Sequence, residues 1–141
     1  MASIIIRAEK PEEVPATAEI LRRAFGNESS VGLTSAIRES AEFQKDLSVV
    51  ADEGGKLLGY ALYVTTSVTG HLKGQNSTQP AAILATLGVR PDAQKRGVGE
   101  RLVRHGLERC RGLGIMLVFT TALPRYFGRI GFQPAKTLGL E

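Results

Sequence analysis

Cysteine is nearly absent from this chain of 141 residues, in which Cys110 is the only one. A single cysteine cannot form a disulfide within the chain and argues against a cysteine-based metal site, so we predict no metal. No apolar run approaches the roughly 20 residues that a membrane span requires. Residues 1–7 also lack the basic stretch and apolar segment of a secretion signal. These absences predict a cytoplasmic protein that does not associate with a membrane.

Acidic residues are scarce in the second half of the chain. Residues 1–70 contain seven Lys and Arg against ten Asp and Glu, whereas residues 71–141 contain eleven against four. A basic half predicts an anionic partner such as a nucleotide, a phosphate ester or a nucleic acid. Aromatic residues make up only 6% of the chain and do not alternate with the arginines, as stacking on bases would require. Nucleic-acid binding is therefore the weakest alternative, and we predict no nucleic-acid partner.

Long linkers and internal repeats are also missing, and 141 residues suit one domain with one continuous core. Residues 67–80 come closest to a loop insertion, because Gly70, Gly74, Asn76 and Pro80 interrupt the pattern there. Elsewhere the hydrophobic periodicity predicts regular elements. The predicted elements are a strand from Ile4, a helix after Pro11, a second helix capped by Ser30 with Leu33, Ile37 and Ala41 on its apolar side, a hairpin over residues 47–66, a strand over 81–89, a helix over 98–111, a strand over 115–121 and a short helix over 125–130.

A strand, a tight glycine turn and a helix start follow one another at Gln94-Lys95-Arg96-Gly97-Val98-Gly99. This order suits a phosphate, because glycine lets the backbone approach the anion and the first free N–H groups of a helix point at its oxygens. A plain strand-to-helix turn has the same appearance, so the loop alone is weak evidence. The loop lacks the third glycine of a dinucleotide-binding fingerprint and the Gly-Lys-Ser/Thr of a P-loop.

Three motifs in this order resemble the GNAT superfamily of N-acetyltransferases. They are the hairpin with Leu47-Ser48-Val49-Val50-Ala51 and Leu57-Leu58-Gly59-Tyr60, then Leu87-Gly88-Val89-Arg90-Pro91 with the loop from Gln94 to Gly99, then Phe127-Gly128-Arg129-Ile130-Gly131-Phe132. The resemblance runs from residue 4 to residue 135. It implies an α/β (α+β) fold with a mixed, mostly antiparallel central sheet flanked by helices and splayed between the fourth and fifth strands.

The resemblance also implies a site for acetyl-CoA as co-substrate, together with an amine acceptor. The backbone of Leu87 and Val89 would pair with the pantetheine arm, and the N–H of Val89 would polarise the thioester carbonyl. The implied cofactor-binding residues are Leu87, Gly88, Val89, Gln94, Lys95, Arg96, Gly97, Val98, Gly99 and Phe127.

Phe127 departs from the family pattern, which usually has a tyrosine that protonates the departing thiolate. Tyr126 is adjacent, but neighbouring residues on a helix point about 100° apart. Three alternatives follow for protonation of the thiolate. Tyr126 reaches the sulfur after a local shift, or water supplies the proton, or the chain is a weak or inactive catalyst. Residues 81–89 contain no acidic residue, which leaves His71, Glu28, Glu39 or a water relay for deprotonation.

The function predicted from these features is transfer of an acetyl group from acetyl-CoA to an amine of a small molecule or peptide, by direct attack. The alternative is a catalytically weak or silent acyl-CoA-binding module with a regulatory role. Relatives generally continue past Gly131-Phe132 into one or two more strands. We therefore expect a single domain over residues 1–141 whose last strand is lost, removed or supplied by a second subunit, and this allows a homodimer.

Overall fold

A computed structural model describes residues 3–72 and 75–120 of the chain, with the backbone alone for residues 70–72 and 75–77. The elements in chain order are β1 (Ile4–Ala8), α1 (Val14–Phe25), α2 (Ser29–Arg38), β2 (Ser48–Glu53), β3 (Lys56–Leu72), β4 (Gln75–Val89), α3 (Val98–Gly112) and β5 (Leu117–Phe119). This order confirms the predicted succession of elements as far as β5. The helix predicted over residues 125–130 lies outside the described residues. No helix in the described ranges is both long enough and apolar enough to cross a membrane.

The five strands form one sheet in the order β1-β2-β3-β4-β5. All neighbours are antiparallel except β4 and β5, which run parallel. The β4–β5 pairing extends from Ala81 to Ile83, whereas β4 continues to Val89. Over residues 84–89, β4 has no strand beside it on that edge within the described part of the chain. The mixed, mostly antiparallel sheet and the opening between its fourth and fifth strands agree with the fold expected from the sequence.

Helices cover both faces of the sheet, because each has one apolar side. On one face α3 buries Val98, Leu102, Val103 and Cys110 against side chains of β2, β3 and β4. On the other face α1 buries Ile20 and Leu21 against Val50, Tyr60 and Leu62. The apolar side of α3 thus faces the sheet, and its four exposed arginines point away from it: Arg101, Arg104, Arg109 and Arg111.

Gly59 determines how closely α3 approaches the sheet. A Cβ at this position would lie 2.9 Å from Leu102 Cδ1 and 3.2 Å from Val98 Cγ1. Real Cβ atoms essentially never make the shorter of these contacts, so a larger residue at this position would force the buried Leu102 side chain to shift. Since Val98 and Leu102 lie in the first turns of α3, Gly59 fixes the start of this helix against β3.

The apolar side predicted for α2 was right in one residue and wrong in two. Ile37 packs against the core, but Leu33 is 49% exposed while Thr34 is buried, and Ala41 lies beyond the helix, which runs from Ser29, not from a Ser30 cap, to Arg38. The cause is a buried polar cluster centred on Glu9, whose side chain is 4% exposed. Glu9 accepts hydrogen bonds from Arg38 (2.7 Å), Thr17 (2.6 Å) and Ser48 (3.0 Å). A buried carboxylate requires such partners, and the Arg38 contact determines which side of α2 faces the sheet.

The loop insertion predicted over residues 67–80 was also wrong. Strands β3 and β4 continue through most of this stretch and pair from Ser67↔Pro80 to Leu72↔Gln75. Thr69 Oγ1 and Thr78 Oγ1 lie 3.1 Å apart across the two strands. Pro80 lies one residue before β4 begins to pair with β5, at an open strand edge where proline is tolerated.

Candidate functional site

The predicted phosphate loop is an exposed segment held firmly at both ends. Gln94, Lys95, Arg96 and Gly97 are exposed, and on either side of them Ala93 and Val98 are each 1% exposed. Lys95 has φ 66° and Gly97 has φ 75°, so both lie in the left-handed region. Such a conformation is uncommon for a residue other than glycine. Two left-handed residues, one on each side of Arg96, turn the chain sharply so that α3 begins immediately at Val98.

The amino end of α3 presents free backbone donors beside this loop. The first hydrogen bond of the helix runs from the N–H of Arg101 to the carbonyl oxygen of Gly97 over 3.1 Å. The N–H groups of residues 98–100 therefore have no acceptor within the helix, and they lie at its positive end. A Cβ at Gly97 would meet no heavy atom within 4 Å, so the space in front of the loop is open. The donor set and the open space suit an anionic group such as a pyrophosphate.

The end of β4 exposes backbone groups next to the loop. The N–H of Arg90 donates to the Leu58 carbonyl on β3 over 2.8 Å. Successive residues of a strand direct their N–H and C=O groups to opposite edges. Leu87 and Val89 therefore direct theirs away from β3, towards the edge that β5 has left. Gln94 Nε2 lies 3.4 Å from the Val89 oxygen, which places this edge beside the loop. An extended amide chain can pair with such an edge as an added strand.

Gly88 lies between these two residues and has a different environment. Its backbone pairs with Tyr60 on β3. A Cβ on Gly88 would lie 3.1 Å from Leu21 Cδ2 and 3.4 Å from Ala24 Cβ, both on α1. Gly88 therefore allows α1 to approach the sheet closely, and the open edge of β4 is formed by Leu87 and Val89.

Charged side chains tie the loop to the turn between β2 and β3. Asp92 accepts from Arg90 Nε at 3.1 Å and lies 3.5 Å from Lys56 Nζ. The hydrogen bond from Arg90 and the nearby Lys56 charge lower the pKa of Asp92. Arg96 donates through both terminal nitrogens to the carboxylate of Glu53. These hydrogen bonds lower the pKa of Glu53 and raise that of Arg96.

Glu53 is the residue at this site that the sequence analysis missed. It lies 43 positions before Arg96 in the chain, and no motif links the two. The only available signal was the hairpin turn itself. β2 and β4 both pair with β3 in the antiparallel sense, so the ends of β2 and β4 lie at the same end of the sheet with one strand between them. Among the acid–base candidates, Glu28 binds Arg22 and Glu39 is exposed after α2. The side chain of His71 and all of Tyr126 and Phe127 lie outside the described residues.

The sequence and the structure are both similar to those of known acetyltransferases. The chain is 34% identical to an uncharacterized N-acetyltransferase, YjhQ of Escherichia coli (strain K12), over 116 residues, which are 82% of this chain and 62% of YjhQ. The chain thus spans less than two thirds of that relative. The structure resembles a GNAT family acetyltransferase from Brucella melitensis in complex with acetyl-CoA, with a TM-score of 0.79, 25% identity, and coverage of 96% of this chain and 86% of that one.

A second solved structure has the same fold. It is the GNAT family N-acetyltransferase YhbS from Escherichia coli in complex with CoA, with a TM-score of 0.82, 25% identity, and coverage of 97% of this chain and 72% of that one. The sequence model for the acetyltransferase (GNAT) domain matches residues 5–135, nearly the whole chain. The chain therefore belongs to the GNAT family of acetyltransferase domains.

Proposed function

We propose that this protein transfers an acetyl group from acetyl-CoA to an amine of a small molecule or peptide. The observation that carries the proposal is the exposed loop at the amino end of α3, which lies beside the unpaired end of β4. The loop suits a pyrophosphate, and the unpaired end of β4 suits an extended amide chain. In CoA these two groups are covalently joined. Family membership and the two solved relatives with acetyl-CoA and CoA support the same assignment.

In this proposal the loop from Gln94 to Gly99 holds the pyrophosphate. The N–H groups at the start of α3 donate to the phosphate oxygens, with Val98 and Gly99 providing the first of them. Lys95 and Arg96 supply positive charge. Gly97 leaves room because it has no side chain. Because glycine adopts the left-handed backbone at little cost, Gly97 also allows the loop to keep its binding shape before the co-substrate arrives.

The open edge of β4 holds the reacting end. Leu87 and Val89 pair with the amides of the pantetheine arm, which lies where β5 no longer accompanies β4. Bound acetyl-CoA supplies an activated thioester. The N–H of Val89 donates to the thioester carbonyl oxygen as negative charge develops there. The amine is held beside the carbonyl carbon and attacks it directly, so that proximity supplies much of the rate.

The remaining roles follow from the family resemblance. Phe127 packs against the co-substrate, and Tyr126 or a water molecule returns a proton to the departing thiolate. A water relay removes the proton from the amine, because among the described residues neither candidate base, Glu28 or Glu39, contacts the loop or the end of β4.

Turnover with a panel of amines tests this function. Acetyl-CoA is mixed with the protein and with polyamines, free amino acids, aminoglycosides or lysine-containing peptides, and thiol release is followed over time. At least one amine is expected to raise thiol release above the amine-free rate and to gain one acetyl group by mass spectrometry. Tight binding of acetyl-CoA without transfer to any amine would instead favour the silent acyl-CoA-binding module.

A further inference from the structure

Glu53 accepts hydrogen bonds from the guanidinium group of Arg96, which the proposed site offers to a phosphate. Both terminal nitrogens of Arg96 face the two carboxylate oxygens of Glu53, at 2.5 Å and 3.4 Å. The Arg96 side chain is 44% exposed and that of Glu53 is 26% exposed, so the pair lies at the surface where an incoming ligand can reach it. A guanidinium group binds carboxylate and phosphate through this same two-pronged geometry.

Lys95 and Arg101 are arranged differently, and Arg90 and Lys56 pair with Asp92 just before the loop. Lys95 forms no ion pair with any carboxylate in residues 3–72 and 75–120. Arg101 donates to the backbone carbonyl of Ile4 rather than to a carboxylate. Within the loop itself, Arg96 is thus the cation whose charge is offset by an acidic side chain of the same chain.

We propose that Glu53 competes with the phosphates of the co-substrate for Arg96 and thereby sets the affinity of the site. This inference rests on the proposed function. A phosphate that takes the two terminal nitrogens of Arg96 must first displace Glu53, and the displaced carboxylate remains nearby and repels the bound anion. Only a ligand that brings a phosphate to Arg96 bears this cost. Glu53 therefore lowers the affinity for the phosphate end of the co-substrate and leaves binding of the thioester end unchanged.

A double-mutant cycle tests the competition. Acetyl-CoA is titrated calorimetrically into the wild type, Glu53→Gln, Arg96→Gln and the double variant. Glu53→Gln is expected to bind about two- to fivefold more tightly, as for release of an exposed ion pair. In the Arg96→Gln background the same change should have a much smaller effect, because there is no guanidinium left to release.

Glu19→Gln is the matched control. It removes one negative charge from α1 on the opposite face of the sheet, where Glu19 pairs with Arg22 and Arg23. Its affinity for acetyl-CoA should equal that of the wild type. Melting temperatures without ligand establish that all variants are folded.

Weaker or unchanged binding by Glu53→Gln would overturn the competition, and weaker binding would mean that Glu53 holds Arg96 in place for the ligand. An equal gain in both backgrounds would also overturn it, since the effect would then come from the general field of the charge. Failure of the proposed function looks different. If the folded wild type does not bind acetyl-CoA, both proposals are wrong, whereas wild-type binding with an unaltered Glu53→Gln refutes this one alone.

Discussion

Gly97→Asp is expected to weaken acetyl-CoA binding by at least about a hundredfold. The side chain would enter the open space in front of the loop, where no heavy atom lies within 4 Å of a Cβ. Two like charges about 4 Å apart near a protein surface repel by about 4 kcal/mol, and each 1.4 kcal/mol or so corresponds to a tenfold change in affinity. Calorimetric titration of the wild type and the variant measures the loss.

The fold should survive this substitution. Gly97 is the residue before the first turn of α3, and its φ of 75° is left-handed. A side chain in the left-handed region is strained, but aspartate enters this region more readily than most side chains, and the cost is about 1–2 kcal/mol. The melting temperature without ligand should therefore fall by no more than about 8 °C.

Gly97→Asn separates charge from shape. Asparagine has nearly the same size and the same tolerance of the left-handed region, but it carries no charge. It should retain much more affinity than the aspartate variant. Equal losses in both variants would mean that crowding, and not repulsion of an anion, is responsible. Full binding by Gly97→Asp would place the co-substrate elsewhere on the protein.

Gly106→Ala is expected to destabilise the fold by about 2 kcal/mol. A Cβ at this position in α3 would lie 2.7 Å from the hydroxyl oxygen of Tyr63 and would overlap its Cε1 and Cζ atoms. Tyr63 is completely buried and donates from its hydroxyl to the Val103 carbonyl over 2.9 Å, so the ring cannot easily move aside. Overpacking of this kind costs about 1–3 kcal/mol, and alanine's better helix propensity offsets about 1 kcal/mol of the upper value.

Thermal unfolding measures the effect, with Gly32→Ala as the matched control. A loss of about 2 kcal/mol should lower the melting temperature by about 8 °C in a domain of this size. Gly32 also lies within a helix, α2, but a Cβ added there would meet no heavy atom within 4 Å. The control should therefore gain up to about 1 kcal/mol from helix propensity alone. If both variants behaved alike, α3 would not be packed against Tyr63 as the structure shows.

The hydrophobic pattern of the sequence predicted the two elements on either side of the loop, β4 and α3, because both pack by burying apolar side chains. Val98, Leu102 and Val103 repeat at the helical period and are almost completely buried in α3. The strand before the loop was equally clear, since residues 81–89 form a nearly unbroken apolar run. A helix or strand that packs by simple burial leaves this pattern in the sequence, so the position of the loop could be predicted.

Polar contacts between distant residues left no such pattern. The side of α2 that faces the sheet is determined by Arg38 and Glu9, which are 29 positions apart. The partner of Arg96 is Glu53, 43 positions away. The long β3–β4 hairpin was missed for a different reason, because glycine and proline usually interrupt strands and Pro80 happens to lie at an open edge. These features depend on tertiary placement, which the local sequence does not encode.

The most direct test of the account is whether acetyl-CoA stabilises the folded wild-type protein. A ligand at a hundred times its dissociation constant stabilises the folded state by about 2.7 kcal/mol, which corresponds to about 10 °C in melting temperature for a domain of this size. We predict a rise of this order in a thermal-shift assay with saturating acetyl-CoA. An unchanged melting temperature in a cooperatively unfolding sample would contradict the assignment of the loop from Gln94 to Gly99 as the binding site of the co-substrate.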